Sequence, residues 1–232
     1  MRAGFLALVA CLSLLGLAGS GVAADPARPT VVELFTAQGC AACPAADTAL
    51  ARLVGRSDLL PLSFSVTYWD RFGWRDPLAR PEFTERQLAY AKVGRREAGT
   101  PQFVINGRFG SPYRGDAELA RAVDSADRGE AGPAIAARGG LLSVGADRRS
   151  AREAVVWLVR FDPGPIRTPV RAGQNGGRTL EHRNVVRALT RLGDWRGAAV
   201  AFRLPSRRAG LRRAVLVQSA SGGAIVAATV LD

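Results

Sequence analysis

The sequence contains few of the side chains from which most metal and acid–base sites are built: three cysteines, one histidine and one methionine. A closed zinc site needs four ligands, and Cys40, Cys43 and His182 supply too few. Cys43 is followed by Pro44 rather than by histidine, which excludes the haem-attachment motif. The glycine-rich run 173–178 has no lysine, so it is predicted to be a hairpin loop rather than a phosphate-binding loop.

Long apolar runs are also scarce, and the one candidate is at the N-terminus. Arg2 precedes an uncharged stretch that extends to residue 24, and the small residues before Asp25 suit signal-peptidase cleavage. Residues 1–24 are therefore predicted to be a secretory signal, although the stretch is also long enough for an uncleaved anchor. Cleavage removes Cys11 and leaves an even pair of cysteines, which fits a periplasmic or secreted protein in an oxidising compartment.

Lysine is nearly absent, with Lys92 alone, and the excess of basic over acidic side chains after residue 24 is confined to the second part of the chain. Residues 25–133 contain 14 basic and 14 acidic side chains, whereas residues 134–232 contain 17 arginines and 6 acidic side chains. A basic module can dock on an anionic envelope component, and the alternative is a solvated surface. The arginines are scattered without stacking aromatics, so no nucleic-acid partner is expected.

The most informative stretch is 31–51. An apolar, β-branched run at 31–36 predicts a buried strand, and the spacing of later leucines predicts a helix from about residue 45. Cys40 and Cys43 lie where the strand ends and the helix begins, and a helix N-terminus favours a thiolate. The pair is therefore predicted to be a redox-active dithiol in which Cys40 is the exposed, attacking sulfur and Cys43 resolves the mixed disulfide.

Other interpretations of the pair remain open. A structural disulfide closing so short a loop contributes only about 2 kcal/mol in the loop-entropy treatment. It would suit a non-catalytic envelope binding protein. Two thiolates also suit a Cu(I) carrier, but there is no methionine after Met1 to assist.

The rest of the first half predicts further elements. Residues 62–68 alternate as in a half-buried strand, and the aromatic loop 69–77 is expected to pack rather than to form a wall beside the dithiol. A helix is predicted at 83–93. Thr100-Pro101 precedes a short strand and suggests a cis peptide, with Pro101 shaping a substrate groove. Asn106-Gly107 predicts a hairpin, and a further helix follows from Asp116.

The second half is predicted to be rich in antiparallel strands. Apolar runs separated by turn residues lie at 154–161, 198–204, 214–218 and 224–231. Residues 184–192 are the one segment expected to form a short helix. His182 is predicted to be a surface or packed residue rather than a ligand.

The order strand, CxxC, helix, strand, helix, strand, hairpin, helix resembles that of a thioredoxin-like domain. More closely, the chain resembles an exported family catalogued as domain of unknown function 1223. The resemblance is carried by ELFTAQGCAACPAAD (33–47), YWDRFGWRDP (68–77), RQLAYA (86–91), TPQFVING (100–107), RTLEHRNVVRAL (178–189) and AVLVQ (214–218).

The resemblance implies a redox site made of Cys40, Cys43 and Pro101 that works without a cofactor. Its partners would be protein thiols or disulfides and a redox protein that resets the pair. Thioredoxin has a buried acid in its first strand, but Glu33 is one residue out of step, so a salt bridge is expected for it rather than a proton shuttle.

These observations together predict an α/β thioredoxin-like domain at 25–130 followed by a basic β-rich, antiparallel sandwich-like domain at 131–232. The predicted function is thiol–disulfide exchange in the cell envelope. Its direction is left open, because Ala41-Ala42 differs from the dipeptides of well-known relatives and that dipeptide helps to set the reduction potential.

Overall fold

The computed structural model describes residues 28–126, 132–147, 153–220 and 222–232 of the chain. The predicted signal, residues 1–24, lies outside these ranges, and so does the predicted domain boundary between residues 130 and 131. Across the described ranges, no helix is both long and apolar enough to span a membrane.

The described residues form a mixed α/β fold with one large sheet and few helices. The helices are α1 (Cys43–Leu53), α2 (Pro81–Gly94) and α3 (Asp116–Asp124), with a 3-10 helix at Asp70–Phe72. The strands of the first half are β1 (Thr30–Thr36), β2 (Leu59–Ser65), β3 (Gln102–Ile105) and β4 (Arg108–Pro112). Those of the second half are β5 (Ile135–Arg138), β6 (Leu141–Val144), β7 (Ala154–Asp162), β8 (Ile166–Pro169), β9 (Thr179–His182), β10 (Val185–Trp195), β11 (Val200–Arg203), β12 (Arg212–Ser219) and β13 (Ile225–Val230).

Eight of these strands form one continuous sheet in the order β13-β12-β7-β10-β2-β1-β3-β4. β1 and β2 are parallel, and β3 and β4 continue the sheet in antiparallel pairs. The strands of the second half, β7, β10, β12 and β13, are antiparallel to one another, as predicted. They extend the sheet of the first half, however, instead of forming the separate sheet that was expected.

The two halves are joined through β10, the segment that was expected to form a short helix. Val185 pairs with Ser63 of β2, whose N–H donates to the carbonyl of Asn184 at 3.0 Å. The side-chain amide of Asn184 also donates to the carbonyl of Pro61 at 2.8 Å. A short apolar run is ambiguous between helix and strand, and here antiparallel pairing with β7 from Val185 to Trp195 decides for the strand.

Two layers cover the faces of this sheet. α2 packs on one face, where Phe83 and Tyr90 meet Phe35 and Phe64. On the opposite face, α1 and α3 cover the first-half strands, and a small sheet of order β11-β6-β5 covers β7 and β12. The small sheet gives the second half a sandwich-like arrangement. Because both faces are covered, every residue of β2 is buried, and the prediction of a half-buried strand was wrong.

The β3–β4 hairpin confirms its sequence signal. Asn106 and Gly107 both have positive φ, 48° and 68°, as a two-residue turn of this kind requires. A Cβ at residue 107 would lie 2.6 Å from the carbonyl oxygen of Gly223, so glycine is also needed for close approach to the β12–β13 turn.

Candidate functional site

The two cysteines form a disulfide at the start of α1. Cys43 is the first residue of the helix, Pro44 follows it, and the Cys43 N–H donates to the carbonyl of Cys40 at 3.2 Å. The first turn of α1 has no acidic residue, so no carboxylate in that turn neutralises the positive end of the helix dipole. This placement agrees with the sequence prediction and favours negative charge on a sulfur released from the disulfide.

Thr100 and Pro101 lie beside the disulfide. Their peptide bond is cis, as the sequence suggested, and Cys40 Sγ lies 3.7 Å from the Thr100 carbonyl oxygen. Trp69 donates from its indole Nε1 to Thr100 Oγ1 at 2.8 Å, and its ring would lie 3.4 Å from a Cβ at residue 39. Trp69 packs against the core cluster that contains Cys40 and Cys43, so the packing expected of its loop is confirmed for this residue.

The prediction of an exposed sulfur at Cys40 was wrong. The exposed fractions of Cys40 and Cys43 are 2% and 0%, while Ala41 and Ala42 between them are exposed. The reason lies in the second half of the chain. The loop that connects β8 and β9, residues 170–178 (the covering loop), packs against the turn that contains Cys40.

The covering loop is held to this turn by backbone and side-chain hydrogen bonds. Gln174 donates from its N–H to the carbonyl of Gly39 at 3.0 Å, and its side-chain oxygen accepts from the N–H of Ala41 at 3.0 Å. Asn175 Nδ2 donates to the carbonyls of Gln38 and Cys40 at 2.9 and 2.8 Å. The predicted hairpin loop at 173–178 is confirmed by the pairing of β8 with β9, but its contact with the cysteines had no local sequence signal.

A buried polar group lies on α1 one turn beyond the second cysteine. Asp47 is four residues after Cys43, so the two side chains are on the same side of the helix. Its Oδ2 accepts from Thr36 Oγ1 at 3.1 Å, and its Oδ1 lies 3.4 Å from His182 Nδ1. Gln38, two residues before Cys40, completes the group, because its Nε2 lies 2.8 Å from His182 Nε2.

The protonation of His182 is coupled to the orientation of the Gln38 amide. With the Gln38 Nε2 donating to His182 Nε2, a singly protonated ring has its proton on Nδ1, on the side of Asp47. Burial lowers the pKa of His182, but the interaction with Asp47 and the charges of Asp76 and Glu181 outweigh it and raise that pKa. Rotation of the Gln38 amide would let its unpartnered Oε1 accept from a protonated ring. The predicted packed role of His182 is thus confirmed, with a titratable partner that was not foreseen.

Asp76 supports the same turn from the aromatic loop. Its Oδ2 accepts from the N–H of Gln38 at 3.3 Å, and its Oδ1 accepts from the N–H of Leu78 at 2.8 Å. Burial raises the pKa of Asp76 in spite of these bonds. Asp47, Asp76 and His182 therefore bring three ionisable side chains to the segment that precedes Cys40.

Glu33 belongs to a different buried network, on the face covered by α2. Arg86 Nε donates to Glu33 Oε1 at 2.7 Å, and Tyr90 donates its hydroxyl proton to the other carboxylate oxygen. Gln218 of β12 binds both Arg86 and Tyr90, at 2.9 Å each. The expected salt bridge of Glu33 is confirmed, and Glu33 is not part of the Asp47–His182 group.

Among the described residues, no group of three or more His, Cys, Asp or Glu side chains is arranged to hold a metal ion. The arrangement instead provides a disulfide at a helix start, an adjacent Thr100–Pro101 backbone and a buried carboxylate–imidazole pair. A sequence signal for the pair did exist. Asp47 is an acidic residue on the buried, otherwise apolar face of α1, and His182 is the sole histidine.

Comparison with known proteins gives relatives of the whole fold. Among curated proteins, none matches the sequence. The X-ray crystal structure of a protein from Agrobacterium tumefaciens is 31% identical, covers 87% of this chain and 93% of its own, and superposes with a TM-score of 0.71. HBP35 of Porphyromonas gingivalis is 14% identical, covers 87% of this chain and 74% of its own, and has a TM-score of 0.58. At that identity, the likeness to HBP35 shows a shared fold alone.

The family is shown by a match to most of the chain. The family model described as "Protein of unknown function (DUF1223)" matches residues 31–218, which include both cysteines, Thr100–Pro101, Asp47, the covering loop and His182. With this match and the 31% identity to the Agrobacterium tumefaciens protein, the chain belongs to the DUF1223 family.

Proposed function

We propose that the protein is a thiol–disulfide oxidoreductase with a thioredoxin-like first half. The observation that carries the proposal is the Cys40–Cys43 disulfide at the N-terminus of α1, with Cys40 Sγ 3.7 Å from the backbone of Thr100. A strand leads into the CxxC turn, a helix leaves it, and the Thr100–Pro101 strand pairs beside it. This order and this juxtaposition support the thioredoxin-like interpretation.

The chemistry of the oxidised pair is disulfide exchange. A substrate thiolate attacks Cys40 Sγ, the Cys40–Cys43 bond breaks, and its electron pair leaves on Cys43 Sγ. A second substrate thiolate then attacks the substrate sulfur of the mixed disulfide and releases Cys40 as a thiolate. The substrate loses two electrons and gains a disulfide, and the cysteine pair gains those electrons. A redox partner removes them, or the same steps run in reverse.

Asp47 and His182 are positioned to exchange a proton with Cys43. Asp47 is on the same side of α1 as Cys43, and His182 holds a ring proton against it. When the Cys43–Cys40 bond breaks, the new thiolate on Cys43 has a buried proton donor one helical turn away. The pair supplies this proton from the doubly protonated ring: His182 becomes neutral, the leaving sulfur of Cys43 becomes a thiol, and the Gln38 amide turns so that its Nε2 donates to His182 Nε2.

Access to the disulfide requires movement of the covering loop. In the described conformation both cysteines are buried, so a substrate thiolate does not reach Cys40. The contacts that hold the loop are mainly the hydrogen bonds of Gln174 and Asn175 to residues 38–41, each worth about 0.5–1.5 kcal/mol net. Local opening at this cost is common for loops beside active sites.

A structural disulfide is the second candidate, and the burial of both cysteines is the observation that favours it. In that case the bond fixes the start of α1 and the protein acts through another surface. The two candidates differ in reduction potential. A structural disulfide has a reduction potential below about −300 mV, whereas the cysteine pairs of exchange proteins have higher reduction potentials.

A glutathione titration of the full chain, read by thiol alkylation, tests the proposal. The expected result is reversible reduction of the pair at a potential above about −300 mV. In assays of disulfide reduction and oxidative refolding, Cys40→Ser is expected to abolish turnover and Cys43→Ser to accumulate a mixed disulfide. Ala45→Ser, at an exposed position in the same turn, is the control for introducing a hydroxyl. A pair that stays oxidised at all accessible potentials would establish the structural role.

We also propose that the protein is exported, with residues 1–24 removed and Asp25 as the new N-terminus. The support is the apolar N-terminal run and the two remaining cysteines. N-terminal sequencing of the protein from the cell envelope tests this. Recovery of the chain inside the cell with its leader intact would contradict it.

A further inference from the structure

Arg160 of β7 is a buried cation that has no counter-charge in the described part of the chain. Its exposed fraction is 7%. Among the described residues its Nε has no hydrogen-bond partner, and a terminal nitrogen donates to Thr190 Oγ1 at 3.4 Å. No carboxylate of the described residues lies within ion-pair distance of it. A guanidinium stays protonated in proteins, and a buried charge is costly unless it is paired. Among the described residues, the guanidinium of Arg160 therefore has hydrogen-bonding capacity and charge that no carboxylate satisfies.

The surroundings of Arg160 add positive charge. Arg213 is directly opposite Arg160 in the β7–β12 register, and both residues lie on the face of the large sheet that the small sheet covers. Like charges directly opposite each other on neighbouring strands are destabilising. Burial lowers the pKa of Arg160, and the charges of Arg208 and Arg213 lower it further.

The one described carboxylate beside these arginines is already engaged. Asp232 accepts from the backbone N–H of Arg213 at 2.8 Å and from its Nε at 3.0 Å, and it also pairs with Arg207. These contacts outweigh the effect of burial and lower the pKa of Asp232. Arg160 and Arg208 have no carboxylate partner within the described residues.

We infer that Arg160 and Arg213, which are opposite each other on β7 and β12, form the centre of a binding site for a phosphate-type oxyanion. A guanidinium presents a planar fork of donors that matches phosphate, and the Nε–H of Arg160 has no partner among the described residues. Thr190 adds a hydroxyl from β10. The phosphate is either a free anion or the head group of an anionic lipid. The site is separate from the cysteines and does not depend on their redox activity.

Thermal unfolding of the full chain tests the site, with inorganic phosphate as the probe and sodium chloride at matched ionic strength as the reference. Because a ligand stabilises the state that binds it, phosphate is expected to raise Tm of the wild type above the chloride value. Arg160→Met keeps the length of the side chain and removes its charge, so the phosphate-specific rise is expected to disappear. Arg203→Gln, at an exposed arginine on β11, is the matched control and should keep the rise.

The stability of the variant in chloride distinguishes loss of binding from a folding defect. In chloride, Arg160→Met is expected to be at least as stable as the wild type, because it removes an uncompensated charge. If that variant does not fold, Thr190→Val replaces it, because it removes the hydroxyl proposed for the site and leaves every arginine in place. No phosphate-specific rise in the wild type, or an undiminished rise in the variants, would overturn the proposal.

Vesicle sedimentation distinguishes the two sources of phosphate. Phosphatidylglycerol vesicles are compared with pure phosphatidylcholine vesicles, with and without inorganic phosphate. Sedimentation that depends on phosphatidylglycerol and on Arg160, and that phosphate reverses, assigns the lipid head group. A phosphate-dependent Tm without such sedimentation assigns the free anion.

Discussion

Asp47 Oδ1 and His182 Nδ1 lie 3.4 Å apart in the protein interior, and neither atom has a hydrogen-bond partner among the described residues. Asp47 belongs to the helix that begins at Cys43, and His182 ends β9, the strand that follows the covering loop. The two elements that frame the disulfide are thus joined by one ionisable pair. Its protonation is linked both to folding and to the chemistry proposed for the cysteines.

The first prediction concerns pH and stability. The pKa of His182 is raised in the folded protein, so the folded state binds the proton more tightly than the unfolded chain. The resulting stabilisation is complete below the ordinary pKa of about 6.5 and is lost as pH rises through the higher folded value. Urea unfolding over this range should show the free energy of unfolding falling with pH, and His182→Gln should remove that slope.

Asp76 also has a raised pKa, and its contribution has the same sign at lower pH. Because a carboxyl ordinarily titrates near 3.8, Asp76→Asn should change the acidic end of the profile. It should also move the His182 step toward lower pH without removing it, because the charge of Asp76 is one of the causes that raise the pKa of His182. Equal slopes for the wild type and His182→Gln would contradict the first prediction.

The second prediction concerns proton supply to Cys43. Asp47→Asn removes the carboxylate but keeps the bond to Thr36 and the shape of the side chain. We expect slower disulfide reduction by a protein thiol and a loss of its pH dependence, with the fold retained by circular dichroism. Asp124→Asn, at the exposed end of α3, is the control. An unchanged pH–rate profile in Asp47→Asn would leave the pair with a purely structural role.

The third prediction concerns the covering loop. Asn175→Ala removes two hydrogen bonds to the carbonyls of Gln38 and Cys40. A loss of about 1–2 kcal/mol in loop docking corresponds to roughly 5- to 30-fold more of the open form. The rate at which dithiothreitol reduces the disulfide should rise by a similar factor.

Arg171→Gln, at an exposed position in the same loop, should leave the rate of reduction near that of the wild type. If Asn175→Ala is reduced no faster than the wild type, the covering loop does not control access to Cys40.

The fourth prediction concerns the buried ion pair on the other face of the sheet. Arg86→Met leaves Glu33 without its partner in a site where both side chains are almost fully covered, at 5% and 0% exposure. We expect a loss of about 3–5 kcal/mol in the free energy of unfolding, measured in urea. The double variant Glu33→Leu/Arg86→Met should recover part of this loss.

Arg52→Gln is the matched control, because its pair with Asp116 is exposed and should contribute less than about 1 kcal/mol. Equal losses for Arg52→Gln and Arg86→Met would show that burial does not set the strength of these pairs.

Local signals predicted the elements around the cysteines well. The β-branched run before Cys40 forms β1, and α1 begins at Cys43 with Pro44 in its first turn. Asn106-Gly107 forms the hairpin between β3 and β4. In each case the determining residues are neighbours in sequence, so backbone preference and periodicity are sufficient.

The structure differs from the sequence-based predictions where residues distant in sequence pair with each other. Residues 185–192 form part of a strand because β7 pairs with them, and the antiparallel strands of the second half extend the sheet of the first half. The loop at 170–178 covers Cys40 through contacts with residues more than a hundred positions earlier, and no local pattern encodes them.

The sequence by itself therefore determined where the two cysteines lie, which elements precede and follow them, and which half of the chain has the excess of basic side chains. Only the tertiary structure decided that the disulfide is covered, that Asp47 meets His182 and that Arg160 is buried opposite Arg213. The physical reason is that a turn, a helix start or a strand depends on adjacent residues. Burial and the pairing of charges depend on which distant strands share a sheet.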